Sequence, residues 1–232
     1  QRLNYYLGDF THDKKIYIKI DENLTCYKQN KLLYYDKINI KNIPKMNNHL
    51  SFYWGNNAGL PLNIKCLSIG GDGINSSNLP CLVKVRYIKN KKNNILCPLA
   101  YNRHWNPYLQ LNDNIEFHNK IDDIIWRGAV TGGTNDINYR CKLCELYFNK
   151  YNIGLTKNPK NIKNIDKYIK NNMDINDLLK YKYIISLPGN DKDSGLNWKL
   201  NSNSLILMPV PKIESWLMEG LLIPYKHFVP LN

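Results

Sequence analysis

The chain has 232 residues, 43% of them hydrophobic and 12% aromatic, which excludes a disordered chain and suffices for one large domain or two small ones. Lys and Arg total 32 against 19 Asp and Glu, a net charge of +13 that draws phosphates, nucleic acids and anionic lipids alike. No apolar run approaches the ~18 residues of a membrane span, and no secretory leader is read, although a start at Gln1 rather than Met reads as a processed or excised piece. The expected location is cytoplasmic or peripheral at a membrane.

In chain order, Tyr17–Ile20 and Leu32–Tyr35 are strand candidates, and Ser51–Trp54 with Gly55–Pro61 forms an aromatic segment and a turn. Asn63–Ile69 alternates as a strand does and runs into a turn at Gly70-Gly71-Asp72-Gly73. Leu82–Ile88 is a further strand, stopped by the solvated run Lys89–Asn94, and Ile95–Leu99 another. Beyond the pattern-breaking stretch 100–122, Asp123–Trp126 enters the glycine-containing segment Arg127–Gly133, and Asp136–Asn149 reads as a helix. Gly154–Leu155 marks a short strand, Ile165–Ile169 and Met173–Leu179 short helices, Tyr183–Leu187 a strand, Leu196–Asn201 a helix, Leu205–Met208 a strand and Trp216–Gly220 a helical turn. Strands alternating with helices at this spacing predict a parallel α/β sheet.

Ligands of such sheets bind beyond the carboxyl ends of the strands, so Gly70–Gly73, Arg127–Gly133, Gly189–Ser194 and Pro209–Glu219 are expected to converge on one crevice. A diphosphate there is held by backbone N–H groups and a cation, the part offered by Arg127 and the Gly132-Gly133 turn. Asp72, between glycines, offers an exposed carboxylate for taking a hydroxyl proton; a turn aspartate bonded to its own backbone fits equally. Glu214 and Glu219 flank Trp216 and offer carboxylates for ribose hydroxyls. Alternatively, Glu214 caps a short helix and Glu219 is solvated. Cys141 and Cys144 have metal or redox spacing but no second pair and no nearby His, so two thiols on one helix face is the simpler reading. The chain lacks the P-loop, GxGxxG, GxSxG and HExxH patterns.

Several spaced blocks resemble glycosyltransferase family 90, the capsule-associated and lipopolysaccharide-modifying group that includes protein O-glucosyltransferases. They are Trp126-Arg127-Gly128 with Thr131-Gly132 and Arg140, then Gly189-Asn190-Asp191, Leu196 with Trp198, Ser202-Asn203-Ser204 and Met208-Pro209. Glu214-Ser215-Trp216, Met218-Glu219-Gly220 and Pro224 with His227-Phe228-Val229-Pro230 follow in the same order. The resemblance covers 120–232 and is loose over the first hundred residues.

It implies a GT-B-like α/β fold of two Rossmann-like domains with a cleft between them, here an acceptor-side domain over 1–110 and a donor-binding domain over 111–232. It implies inverting transfer from a nucleotide sugar, usually a UDP-sugar, to a glycan acceptor, with no metal or other cofactor required. Asp72 then maps onto the catalytic base, and Arg127, Thr131, Arg140, Asn190, Asp191, Ser202, Asn203, Ser204 and Glu219 onto the donor side. Two departures stand out. The arginine that the eukaryotic branch carries before the helix is absent from Ser194–Asn197, leaving Lys192 or Lys199 as substitutes of different geometry. The family also continues past the final block with a helical segment, which implies a truncated member.

The function expected is transfer of a sugar to a hydroxyl of a surface glycan or lipopolysaccharide. The alternative is a glycan- or polyanion-binding module of transferase fold that has lost turnover. Charge alone suggests a nucleic-acid binder, and no motif adds to it, so no specific nucleic acid is expected.

Overall fold

The computed structural model describes Tyr5 and residues 32–38, 64–74, 81–91, 94–96, 111–132 and 139–231. The expected elements at Tyr17–Ile20, Ser51–Trp54 and Gly55–Pro61, and the expected helix start at Asp136, lie outside the described residues. The chain divides into two compact units, Gln1–Pro107 with Pro211–Leu221, and Tyr108–Val210 with Leu222–Asn232. The segment Pro211–Leu221 therefore leaves the expected 111–232 block. The reason is strand pairing: β9 (Ile213–Ser215) runs antiparallel to β3 (Cys81–Tyr87), matching Arg86 to Glu214 and Val85 to Ser215.

In the first unit, β1 (Leu32–Ile38) pairs antiparallel with β2 (Ile64–Ile74), β2 pairs parallel with β3, and β3 pairs parallel with β4 (Asn94–Leu96). β2 departs from expectation: the backbone does not turn at Gly70–Gly73 but stays extended to Ile74, with a register shift against β3 between Ile69 and Ile74. Glycines inside a strand often mark such an irregularity, because they accommodate its backbone without side-chain crowding. Asp72 thus lies on an irregular strand. Val83, Val85 and Leu96 are buried here.

The second unit carries a five-stranded sheet in the order β10-β8-β7-β5-β6, every pair parallel. The strands are β5 (Ile121–Ala129), β6 (Asn152–Lys157), β7 (Tyr181–Ile185), β8 (Leu205–Met208) and β10 (Val229–Pro230). Side chains alternate between faces along a strand, and neighbours part accordingly. Ile125 and Ile184 join one buried cluster with Leu179, Trp198 and Phe228, while Trp126 and Ile185 join another with Val130, Cys144 and Leu155. A parallel sheet needs both faces covered. Helix α1 (Tyr139–Tyr147) covers the second face through Cys144. Helices α2 (Ile175–Leu178) and α3 (Leu196–Leu200) cover the first, α3 through Leu196 and Trp198. Asp174 caps α2 by accepting the Asp177 N–H at 2.8 Å.

Numbered within the unit, this strand order is the doubly wound 2-1-3-4-5, whose topological switch point lies between its first and third strands, β5 and β7. The chain leaves β5 for α1 on one face and β7 for α3 on the other, so the two departing loops diverge around that point. Sequence periodicity predicted the parallel sheet. It missed β10 and β9, two and three residues long, and cut β5 short at Trp126.

Candidate functional site

At the carboxyl ends of β5 and β7 the two loops are sewn together. Arg140, on the first turn of α1, reaches back over the Trp126 ring, 5.7 Å from its centroid. Its Nη1 donates to Ala129 O and Thr131 Oγ1, both at 2.8 Å, its Nη2 to Leu187 O at 2.9 Å and its Nε to Pro188 O at 3.1 Å. One guanidinium thereby fixes the exit of β5 to the exit of β7. Its burial lowers its pKa from the ordinary arginine value, and an arginine keeps its charge regardless.

A second stitch runs from Gly132 N to Asn190 Oδ1 at 3.0 Å. Gly132 has φ +71°, and a Cβ placed there would stand 2.0 Å from Gly189 O; a left-handed residue in backbone contact requires glycine. Lys160, from the loop after β6, donates to Gly132 O at 2.9 Å. Thr131, Arg140 and Asn190 thus meet at the switch point, and Asp191 follows in the same loop, accepting the Lys192 N–H.

Asp193, absent from the sequence-based set, anchors this loop from below. It accepts Ser186 Oγ at 2.6 Å and Gly195 N at 2.9 Å and forms an ion pair with Lys199. Burial alone would raise its pKa, but the Lys199 ammonium and these hydrogen bonds outweigh burial and hold it below the usual carboxylate range. Lys199, one of two expected substitutes for the missing arginine, is committed to this carboxylate and to Ile185 O at 3.2 Å. Asp193 stands two positions after Asp191, and that spacing of two carboxylates was the only local signal.

The remaining second-unit residues do not join this junction: Arg127 lies inside the β5 ladder with its guanidinium at the start of β6, and Ser202–Ser204 precede β8. Arg127 Nη1 donates to Asn152 O at 2.8 Å and Trp126 O at 2.9 Å, Nη2 to Asn152 Oδ1 at 2.7 Å, and Nε to Asn171 O at 3.1 Å. Asn152 opens β6 and in turn donates to the Tyr181 hydroxyl, at the start of β7, at 2.6 Å. Ser204 Oγ donates to Tyr181 O at 2.7 Å, Ser202 Oγ to Lys199 O at 2.6 Å, and Asn203 Nδ2 to Asp113 O at 2.9 Å. Asp113 also accepts Asn203 N at 2.8 Å and pairs with buried Lys120 at 2.8 Å. Arg127, expected beside the Gly132-Gly133 turn, is bonded instead to Asn152 and Asn171. A side chain on a strand leans along it, and Arg127 leans toward the strand starts.

In the first unit, Glu219 is neither solvated nor open. Its carboxylate accepts Ser215 N at 2.6 Å and Ser215 Oγ at 2.8 Å, bracing a turn in which Met218 has φ +60°. Glu214 caps no helix. It is fully buried and paired with equally buried Arg86 at 2.8 Å, across 128 residues of sequence. Arg86 also donates to Asn94 O at 2.8 Å and to Tyr5 O, and the Tyr5 hydroxyl donates to Glu214. Burial first, then Glu214, raises the Tyr5 pKa above the ordinary phenol value. Nothing local to Arg86, within an apolar strand pattern, foretells a partner so distant.

Burial pushes the Cys144 thiol up to about 12 and also raises Cys141, which leaves both as thiols rather than reactive thiolates. Among the described residues no three His, Cys, Asp or Glu side chains gather as a metal site, and no helix is long and apolar enough to cross a membrane.

The chain is similar to the O-glucosyltransferase LpsA of Dichelobacter nodosus, with 35% identity over 189 residues, 78% of this chain and 56% of that protein. It spans a little over half of that relative's length. No model of a known protein family matches it.

Proposed function

We propose that the chain is a glycosyltransferase of the family 90 type, moving a sugar with inversion from a UDP-sugar to a hydroxyl of a surface glycan or lipopolysaccharide. The observation that carries this is the junction of the two loops at the sheet's switch point, where α/β proteins of this order take their ligands. It occurs in a chain similar over 78% of its length to an O-glucosyltransferase. The name of that relative makes a glucosyl donor the first to try.

The donor diphosphate is held by the loops around Thr131–Gly132 and Gly189–Asp191, with Lys160 and Lys192 as the nearby cations. Arg140 positions both loops and Asn190 locks their register. Arg127 and Ser202–Ser204 hold the strand starts rather than the donor, and Glu219 acts by fixing the 215–219 turn. Asp72 takes the proton of the acceptor hydroxyl. The acceptor oxygen bonds to the anomeric carbon as the bond to the diphosphate breaks, and UDP leaves with the electron pair. No metal enters this scheme; positive side chains and backbone amides stabilise the leaving diphosphate.

Transfer and hydrolysis measured over a panel of UDP-sugars, before and after Asp72→Asn, test the reading. The expected loss in kcat is about 100- to 10,000-fold, with UDP affinity unchanged; undiminished turnover would remove Asp72 from its role. Glycan binding without UDP binding or turnover would instead identify a binding module.

A further inference from the structure

The edge of the second unit's sheet at β6 carries a surface that the proposed transfer does not use. Apart from Arg140 and Lys160 at the junction, the sequence between Tyr139 and Lys170 holds six Lys against two carboxylates, Glu145 and Asp166. The segment after β6 folds back along that strand: Lys170 N donates to Leu155 O at 2.8 Å, and Ile169 bridges Leu155. This brings Tyr168 against Phe148, at the end of α1, with ring centroids 5.4 Å apart.

Three ammonium groups stand over three rings of this face, Lys170 over Phe148 at 4.6 Å, Lys167 over Tyr168 at 5.1 Å and Lys150 over Tyr151 at 5.2 Å. Lys150, Lys163 and Lys167 are exposed. Beside them Leu146, Tyr147 and Ile169 expose 57%, 40% and 42% of their surface.

We propose that this face docks on an anionic phospholipid bilayer. Lysines near a charged leaflet are each attracted strongly, and exposed aliphatic and tyrosine side chains partition into the interface between them. A nucleic-acid strand fits less well. Its bases need open ring faces to stack on, whereas these rings are already engaged by lysines and by one another, and exposed Leu146 and Ile169 would gain nothing from phosphates. The surface is separate from the switch-point junction, so the inference stands whether or not the transferase reading holds.

The experiment is co-sedimentation of the whole chain with phosphatidylcholine vesicles, with and without phosphatidylglycerol. The variants are a triple Lys150→Glu, Lys163→Glu, Lys167→Glu and a control of equal net charge, Lys89→Glu, Lys212→Glu, Lys226→Glu. Wild type is expected to bind the phosphatidylglycerol vesicles far better than neutral ones. The first variant should lose about a hundredfold or more and the control less than about threefold, with both melting cooperatively. The double variant Leu146→Ser, Ile169→Ser should lose the part of the binding that survives high salt. Equal binding of wild type to both vesicles, equal losses in both triple variants, or single-stranded DNA binding that the first variant loses while vesicle binding persists would each overturn the proposal.

Discussion

The two ends of the second unit's sheet resemble each other closely in composition. Each has a part-buried arginine bonded to backbone carbonyls of neighbouring strands, an Asn that ties two segments, and a buried aspartate–lysine pair. They differ in topology. At the carboxyl edge the chain leaves β5 and β7 toward opposite faces, so the clamp of Arg140 spans diverging loops. Toward the other end Arg127 ties β5 to the start of β6, strands that are already adjacent and pairing. Similar chemistry therefore ties diverging loops at one end and adjacent strands at the other, and strand direction rather than residue type sets them apart.

The sharpest way to break this contrast is at Gly132. Alanine there meets Gly189 O, a backbone atom that no rotamer can move aside, and φ +71° adds its own strain. Gly132→Ala is expected to cost about 3 kcal/mol or more in urea unfolding and to abolish UDP binding in calorimetry. A variant with wild-type stability would remove the close approach of the two loops.

The paired arginines come next. Arg140→Gln and Arg127→Gln each remove a guanidinium that makes several hydrogen bonds to described residues, and each is expected to cost about 3 kcal/mol of stability. Their ligand effects should part: UDP affinity falls at least about tenfold with Arg140→Gln and less than about threefold with Arg127→Gln. Equal losses of affinity would erase the distinction between the two edges.

Much of this was legible beforehand, and the illegible part has a pattern. Leu205–Met208 is an unbroken apolar run and stands as read, and the parallel sheet follows from helix and strand spacing. Thr131 and Asn190 lie in loops that follow strands, and Arg140 opens the helix after the first of them, so chain order places them at the carboxyl edge. Arg127 was misplaced because Trp126-Arg127-Gly128 reads as a strand exit, whereas β5 continues through Ala129 and carries Arg127 inside the ladder. Glu214 was misread because its partner Arg86 is 128 residues away, and only tertiary pairing of β9 on β3 supplies it. Asp72 stood in an apparent turn because glycines signal turns and strand irregularities alike.

A gentler test concerns pH. Asp193 has its folded pKa below its unfolded value, so it stabilises the fold above about pH 4 and that contribution is lost as pH falls through the folded pKa. Asp193→Asn should cost about 2 kcal/mol at neutral pH, and the gap to wild type should narrow steadily below about pH 4. A gap independent of pH would mean that packing of the side chain, not its charge, holds the loop beneath the junction.

The smallest expected effects give the cleanest comparison, because neither variant disturbs the fold much. Asn190→Ala removes the acceptor of the Gly132 N–H at the carboxyl edge, and Ser204→Ala removes the donor to Tyr181 O before β8. Each loss is expected at about 1 kcal/mol and a small fall in unfolding midpoint. Asn190 is exposed, and its side chain holds the Gly132 N–H in register with the loop after β7, so its loss frees that loop without uncovering the core. Ser204 Oγ bonds only the Tyr181 carbonyl at a strand start, where a shift of a few tenths of an ångström is absorbed by the ladder between β7 and β8. UDP affinity should therefore fall several-fold in Asn190→Ala and stay unchanged in Ser204→Ala. Matched stability with unmatched affinity is what an edge defined by strand direction requires, since the two side chains then differ in what they hold still.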